Sequence, residues 1–182
     1  SLQQLSDRWS GKEVNIAKIS PSKAPSSSKV FFIDIPGSKQ SAITVGTLTI
    51  PGGNPELYKL NVVNNRLGGG MEARLMRTLR LEKGYTYGAG SFLRENTYQT
   101  PFYAYSQVRS NVTLESLQIF KDIINGYAKS YNSEDLELTK NKLIKQNALR
   151  FERLGSLIDM LDTMSEFDYP DTYIQNQQDI LT

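Results

Sequence analysis

Residues 67–88 read L-G-G-G-M-E-A-R-L-M-R-T-L-R-L-E-K-G-Y-T-Y-G. This order predicts a glycine turn, an amphipathic helix, a second glycine turn at Gly84 and the start of a strand. The stretch places a guanidinium, Arg80, before the second turn and a phenol, Tyr87, after it, seven residues further along the chain. It therefore predicts a cation and a hydroxyl on either side of one tight turn.

The chemistry of Arg80 and Tyr87 suits a developing negative charge. An Arg side chain carries five fixed N–H donors and is always charged, and a Tyr hydroxyl can donate one more hydrogen bond. Aimed together at a carbonyl, the two groups would stabilise the oxyanion that forms when water attacks it. The alternative is structural, with Arg80 as a solvated cation near a helix end and Tyr87 as a half-buried strand residue. On residue types alone, this second interpretation is the commoner one.

Composition limits the classes of partner. The chain has 182 residues, of which 38% are hydrophobic and 22% charged, with a formal net charge of +2, and this is typical of one globular domain. Such a charge favours neither nucleic acid nor an anionic membrane as a partner. No apolar run reaches the roughly 20 residues of a membrane-spanning helix. Because the chain starts with Ser1 rather than Met, we expect a fragment from which any targeting segment has been removed.

The sequence contains no His and no Cys. This excludes disulfides, thiolate zinc sites and every nucleophile–base arrangement that needs His or Cys. Acid pairs remain at Glu134/Asp135 and Asp159/Asp162, and we interpret them as solvated helix faces. We therefore expect no metal site and no bound cofactor in this chain.

The first 28 residues differ in character from the rest. Residues 20–28 are rich in Ser and Pro and predict a linker or long loop. Before them, the Val14–Ile19 run predicts a short docking segment, and we expect Trp9 to be packed. The predicted division is an extension and linker at 1–28 and one domain at 29–182.

The domain is predicted to be α+β. Four stretches rich in β-branched and aromatic residues predict strands, at 30–35, 42–50, 85–95 and 102–108, the last two as antiparallel neighbours. Helical spacing of apolar residues predicts helices between and after them. Runs of strands and runs of helices predict a two-layer domain with an antiparallel-rich sheet and helices packed on one face.

We expect the apolar stripes of the helices to face the sheet. We also expect Asn111 or Thr113 to cap the helix at 113–130, Ser133 to cap the next one, and a bend at Gly155. Pro170 is expected to start a last short helix. The stripes are Leu57, Leu60, Val63 and Leu67; Met71, Leu75 and Leu79; Leu114, Leu117, Phe120, Ile123, Ile124 and Tyr127; and the apolar positions from Leu143 to Met164.

Two other patterns have weaker functional interpretations. Gly68–Gly70 precedes a helix, as in phosphate-binding loops, but it lacks the G-K-[ST] and G-x-G-x-x-G patterns and follows a helix rather than a strand. We interpret it as a tight helix-to-helix turn. The Tyr-rich strands, with Arg94 and Arg109, could stack on single-stranded nucleic acid, although the near-neutral charge disfavours that use.

The pattern L-G-G-G-M-E-A-R-L-M-R-T-L-R-x-E-K-G-Y-T-Y resembles the non-catalytic half of the pitrilysin-type zinc metallopeptidases. These inverzincins include insulin-degrading enzyme and the mitochondrial processing peptidases, and their catalytic half carries H-x-x-E-H. The resemblance extends over most of residues 30–182 and implies the fold of LuxS/MPP-like metalloenzymes. Family domains usually continue into a further strand, so we expect this chain to lack its last strand.

The resemblance also implies a function. The homologous H-x-x-E-H domain, on the same chain or a separate subunit, would supply the zinc, while this half closes the chamber around a peptide substrate. By type and spacing, Arg80 and Tyr87 match the Arg–Tyr pair that the family's second half contributes to catalysis. The fragment alone is expected to be inactive. The alternative is an inactive scaffold or peptide-binding subunit of the same family, and the periplasm or cell envelope is favoured over the cytoplasm.

Overall fold

The structure, a computed structural model, describes residues 2–9, 11, 15, 19–23 and 25–182. The elements in these residues are, in chain order, α1 (Leu2–Arg8), β1 (Gln40–Leu48), α2 (Leu57–Gly68), α3 (Arg74–Met76), a π-helical turn (Arg77–Glu82), β2 (Thr86–Leu93), β3 (Pro101–Arg109), a 3₁₀ turn (Ser110–Val112), α4 (Thr113–Ser130), α5 (Ser133–Arg150), α6 (Leu154–Glu166) and α7 (Tyr173–Leu181).

The strands form an antiparallel sheet in the order β1-β3-β2. Along β3, Ala104, Ser106 and Val108 are buried and alternate with exposed positions such as Tyr105. Because successive side chains of a strand point to opposite faces, one face of the sheet packs on the helices and the other is open. The predicted antiparallel pairing of the last two strands is confirmed.

The core lies between the packed face of the sheet and the helices. Leu75 and Leu79, before and within the π-helical turn, and Phe120 of α4 are fully buried. They join Ala104 and Val108 of β3 in one hydrophobic cluster. This arrangement confirms the predicted α+β class with helices on one face of an antiparallel sheet.

The predicted strand at 30–35 is wrong. Residues 30–35 are irregular, and Val30, Phe31, Phe32 and Ile33 are 82–91% exposed. In the described part of the chain no strand pairs with this segment, so it lacks the ladder of hydrogen bonds that defines a strand. The chain then turns at Gly37, whose φ is +78°, and enters β1.

The predicted buried face of α2 is partly wrong. Leu57 and Leu67 are buried, but Leu60 and Val63 are 38% and 36% exposed, and Val62 is buried instead. Two polar residues take inward positions: Asn64 Nδ2 donates to the Ser91 carbonyl (3.1 Å), and Asn65 Oδ1 accepts from Lys142 Nζ (2.9 Å). These polar contacts rotate the packed face away from the one that apolar periodicity predicts.

Other expected core positions are also exposed: Met71 is 51% exposed, Leu114 76%, Leu117 41% and Trp9 70%. Trp9 is therefore not packed as expected. The Val14–Ile19 run falls mostly outside the described residues.

Helix boundaries differ from the predicted ones at four places. The last helix, α7, begins at Tyr173 rather than at Pro170. The residue that caps α5 is Asn132, not Ser133, since Asn132 Oδ1 accepts from the Asp135 backbone N–H (3.0 Å). Helix α4 has no side-chain cap and is preceded by the 3₁₀ turn instead. The break before α6 falls at 151–153, ahead of Gly155.

The triple glycine is a helix-to-helix turn in which α2 meets β2 at very short range. A Cβ on Gly68 would lie 2.0 Å from the Ser91 backbone nitrogen and 2.6 Å from the Gly90 carbonyl carbon. Gly70 has φ +144°, which L side chains rarely adopt. The close backbone approach therefore requires glycine at position 68.

We expect Gly68→Ala to lower the free energy of unfolding by about 3 kcal/mol, because the backbone must move to admit the methyl group and such overpacking typically costs about 1–3 kcal/mol. Gly126→Ala in α4 is the matched control. Nothing lies within 4 Å of a Cβ there, so alanine should be neutral or stabilising by up to about 1 kcal/mol. Urea unfolding of both variants measures the difference, and equal midpoints would contradict this packing.

Candidate active-site elements

Arg80 lies on the π-helical turn at 77–82. The Lys83 N–H donates to the Thr78 carbonyl five residues back (3.0 Å), and the Tyr85 N–H donates to the Leu79 carbonyl (2.9 Å). Leu79 is fully buried and anchors the turn, whereas Arg80 next to it is exposed. Turns of this kind are rare and occur frequently at functional sites.

Tyr87 lies on an irregular stretch of β2. Thr86 pairs with Val108 and Ala89 with Ser106, so Tyr87 and Gly88 together oppose Gln107. The Thr86 hydroxyl fixes this bulge, since it donates to the Gln107 carbonyl (2.5 Å) and accepts from the Gly88 N–H (3.0 Å). Bulges of this kind re-aim side chains, and the Tyr87 side chain is 88% exposed.

The structure places the two predicted site residues on consecutive elements that pack together. Met76 Cε, just before the π-helical turn, lies 4.0 Å from the Cβ position of Gly88, beside Tyr87. Arg80 Nη1 lies 3.8 Å from Met71 Sδ. In the described part of the chain no hydrogen bond joins Arg80 to Tyr87, so their convergence on one carbonyl stays a prediction. Both tips are free to meet a ligand.

A buried ion-pair network supports the helical corner before Arg80. The Asp135 carboxylate accepts from Arg66 Nε (2.9 Å) and Arg74 Nη2 (2.5 Å), and Asp135 is only 6% exposed. Arg74 also donates to the Ser130 carbonyl (2.8 Å), and its Cζ lies 4.9 Å from the centre of the Tyr127 ring. Asp135 of α5 therefore ties together α2, α3 and the end of α4.

The interpretation of Asp135 as part of a solvated helix face is wrong. Its arginine partners lie 69 and 61 residues away along the chain, so no local pattern reveals them. Burial alone would raise the pKa of Asp135, but the hydrogen bonds from Arg66 and Arg74 outweigh it and lower the pKa below its ordinary value.

Lys142 of α5 adds a second clamp on the same corner. Its Nζ donates to Asn65 Oδ1 (2.9 Å) and to the Gly69 carbonyl (2.8 Å) at the end of α2. A cation here also complements the negative end of the helix dipole. Burial lowers the pKa of Lys142, and the Glu72 carboxylate partly opposes that shift.

Among the described residues, no group of three or more acids is placed to hold a metal ion. Zinc prefers His, Cys and carboxylate ligands, and the sequence has no His and no Cys, so the residues present do not fit a zinc site. None of the described helices combines the length and the hydrophobicity that a membrane span requires.

Residues 2–143 match the family described as Peptidase M16 inactive domain. The chain belongs to the peptidase M16 inactive-domain family. This result confirms the resemblance to the metallopeptidase family on which the sequence-based interpretation rests.

Solved structures show the same fold. A peptidase M16 inactive domain from Pseudomonas fluorescens is 25% identical, with a TM-score of 0.82 over 90% of this chain and 39% of that chain. The fold is shared by a protein assigned as a zinc protease from Bordetella pertussis, which is 14% identical with a TM-score of 0.63 over 82% of each chain. It is also shared by the periplasmic protease PqqL from Escherichia coli, which is 13% identical with a TM-score of 0.63 over 80% of this chain and 16% of that chain. None of the curated proteins matches the chain.

The M16 inactive domain described here spans well under half the length of the Pseudomonas fluorescens chain, 39% of it. That proportion bears on function, because the activity of a whole M16 protein need not reside in one of its domains. For this chain, activity, substrate and partner are matters of proposal.

Proposed function

We propose that this M16 inactive domain is the non-catalytic half of a zinc metalloendopeptidase. It closes the peptide chamber opposite a homologous half that carries H-x-x-E-H, on the same chain or on a separate subunit. Arg80 and Tyr87 donate hydrogen bonds to the oxygen of the scissile carbonyl as negative charge develops there.

The observation that carries this proposal is the exposure and the hydrogen bonding of the Arg80 and Tyr87 side chains. Tyr87 is 88% exposed, and its hydroxyl forms no hydrogen bond with any residue that the structure describes. Arg80 is exposed on the π-helical turn and forms no ion pair in the same part of the chain. Two irregular elements, the π-helical turn and the bulge of β2, hold these donors at the edge of one packed unit, with Arg80 Nη1 in a weak contact to Met71 Sδ (3.8 Å).

The zinc belongs to the other half, since the residues of this chain do not fit a zinc site. A zinc ion held by the H-x-x-E-H residues of that half would supply an activated water molecule as the nucleophile. The contribution of the present domain is to bind the peptide, to exclude bulk water from the chamber and to stabilise the oxyanion.

A second candidate is an inactive scaffold or peptide-binding subunit. In the described part of the chain, no contact orients Arg80 toward Tyr87, and this favours the scaffold. The compartment that we propose is the periplasm or cell envelope, on the basis that one structural relative, PqqL, is periplasmic.

We expect the tag-free chain to bind no stoichiometric zinc and to cleave no fluorogenic peptide by itself, because it has no His or Cys ligand. Combined with its H-x-x-E-H half, it should raise peptide cleavage well above that of the catalytic half alone. Metal analysis and a fluorogenic assay of the three samples measure this. Cleavage by the catalytic half that is unaffected by this domain would contradict the proposal.

A further inference from the structure

The open face of the sheet carries an aromatic depression that neither Arg80 nor Tyr87 lines. Its volume is about 410 Å³, and it is lined by Thr44, Phe92, Arg94, Tyr103 and Tyr105. It is shallow and open to solvent over much of its surface. It suits one side chain with its adjoining backbone.

The walls of the depression are three rings, with Phe92 in contact with both tyrosines. The Phe92 ring centroid lies 5.3 Å from that of Tyr103 and 5.7 Å from that of Tyr105. Phe92 and Tyr105 remain 44% and 47% exposed. The rings therefore support one another and still offer faces and edges to a further apolar group.

Glycines on both neighbouring strands lie beside the tyrosine rings of the depression. Gly46 of β1 is opposite Tyr103, and Gly90 of β2 is opposite Tyr105. A Cβ on Gly90 would lie 3.3 Å from Tyr105 Cε1, and one on Gly46 would lie 3.4 Å from Tyr103 Cδ1. A side chain at position 90 would therefore crowd the Tyr105 ring. At position 46 a Cβ would only touch the Tyr103 ring, and the tighter limit there is the Phe102 carbonyl oxygen at 2.9 Å.

The lining of the depression carries positive charge. None of the three strands contains Asp or Glu. Arg94 is the charged residue of the lining, and the nearby Glu95 carboxylate already accepts from the Tyr169 hydroxyl (2.5 Å). The ion pairs among the described residues use other cations: Lys59, Arg66, Arg74, Arg77 and Lys140.

We propose that this depression is a substrate subsite for a peptide segment in which an aromatic residue stands next to a carboxylate. The aromatic side chain enters between Phe92, Tyr103 and Tyr105, and the carboxylate pairs with Arg94. The inference rests on the proposed peptide-binding function and adds a preference to it. Single-stranded nucleic acid is disfavoured, because such ligands need a basic track along the backbone and the net charge here is +2.

The test is direct binding to the 182-residue chain, measured by fluorescence anisotropy. The probes are fluorescein-labelled Gly/Ser hexapeptides with a central Phe-Asp, Phe-Lys or Ala-Asp pair, together with labelled oligo-dT. We expect Phe-Asp to bind about tenfold more tightly than Ala-Asp, because an aromatic side chain is buried. It should bind about threefold more tightly than Phe-Lys, because the ion pair is partly exposed. Equal affinity for the three peptides, or tighter binding of oligo-dT, would overturn the proposal.

Variants locate the binding. Phe92→Ala should abolish the preference for Phe over Ala, and Arg94→Glu should reverse the preference for Asp over Lys. Arg153→Glu, at an exposed position before α6, is the charge-matched control and should leave both preferences unchanged. If Arg153→Glu changed the preferences as Arg94→Glu does, the subsite would be wrongly placed.

The result of this binding test can be distinguished from the result of the test of the proposed catalytic role. Binding to this chain requires no hydrolysis, and the ranking of peptides by the unaltered chain does not depend on the folding of any variant. If these preferences are observed while Arg80 and Tyr87 variants keep full turnover, the subsite is supported and the oxyanion role alone is lost.

Discussion

Tyr87→Phe is expected to lower the turnover of the assembled enzyme by about 10²-fold, with little change in stability or in KM. The substitution removes one hydroxyl from a side chain that is 88% exposed. Tyr127 and Tyr169, in contrast, use their hydroxyls internally: they donate to the Val63 carbonyl (2.6 Å) and to the Glu95 carboxylate (2.5 Å). If Tyr87 donates to the oxyanion only in the transition state, its loss should appear in kcat rather than in KM.

Arg80 provides the companion test in the same fluorogenic assay. Arg80→Ala should lower kcat comparably, and Arg80→Lys should restore activity only in part, because an ammonium lacks the planar fork of donors. Two controls are available, Tyr98→Phe in the β2–β3 connection and Arg77→Ala, which removes an exposed pair with Glu82 (3.1 Å). If Tyr87→Phe and Arg80→Ala both kept near wild-type turnover, the domain would be better described as a closing and binding scaffold.

Asp135→Ala is expected to destabilise the fold by about 3–5 kcal/mol. It would leave the guanidinium groups of Arg66 and Arg74, whose side chains are 19% and 24% exposed, without their shared carboxylate. Removing one partner of a buried ion pair leaves uncompensated charge, and this is far more damaging than losing an exposed pair. Urea or thermal unfolding measures the change.

Glu134→Ala is the matched control, since Glu134 is the exposed neighbour of Asp135 on the same helix. A surface change of this kind is usually within about 0.5 kcal/mol. Similar losses for the two variants would show that the network around Asp135 contributes no more than a surface charge.

Acid should weaken the same network. The pKa of Asp135 is lowered in the fold from an ordinary value of 3.8. Its contribution to stability is therefore fully present above about pH 4 and is lost as the pH falls through the lower pKa of the folded state. The stability of Asp135→Ala should accordingly depend less on pH below about 4 than that of the unaltered chain.

Local patterns predicted the class of the fold and the elements of the motif. The alternation in β1, β2 and β3 and the apolar positions Leu75, Leu79 and Phe120 are local signals, and the structure has them where the sequence indicates. The helix-to-helix turn at Gly68–Gly70 was also predicted, although its close contact with Ser91 was not.

Features that depend on distant residues could not be predicted in this way. The burial of Asp135 is set by Arg66 and Arg74, and the face of α2 is set by polar contacts of Asn64 and Asn65. The segment at 30–35 has strand-like composition, but a strand also needs a neighbour to pair with. Apolar periodicity describes what a segment can form and not which partners it meets.

The same limit applies to the candidate site. Residue types and spacing identified Arg80 and Tyr87, yet they gave no sign that the two stand on a π-helical turn and a bulge. Both irregularities come from hydrogen bonds, such as Lys83 to Thr78 and Thr86 to Gln107, that are invisible in the sequence.

The π-helical turn at 77–82 makes the direction of Arg80 depend on residue count rather than on residue type. Its hydrogen bonds skip one residue more than those of an α-helix. A single deletion inside the turn could restore ordinary helical winding, in which each residue rotates the chain by about 100°. The arginine would then be carried to another side of the helix while every letter around it was preserved. A descendant gene would thus lose the proposed site through a change in length alone. A sequence alignment that places one gap in the turn would still align the arginine and the tyrosine.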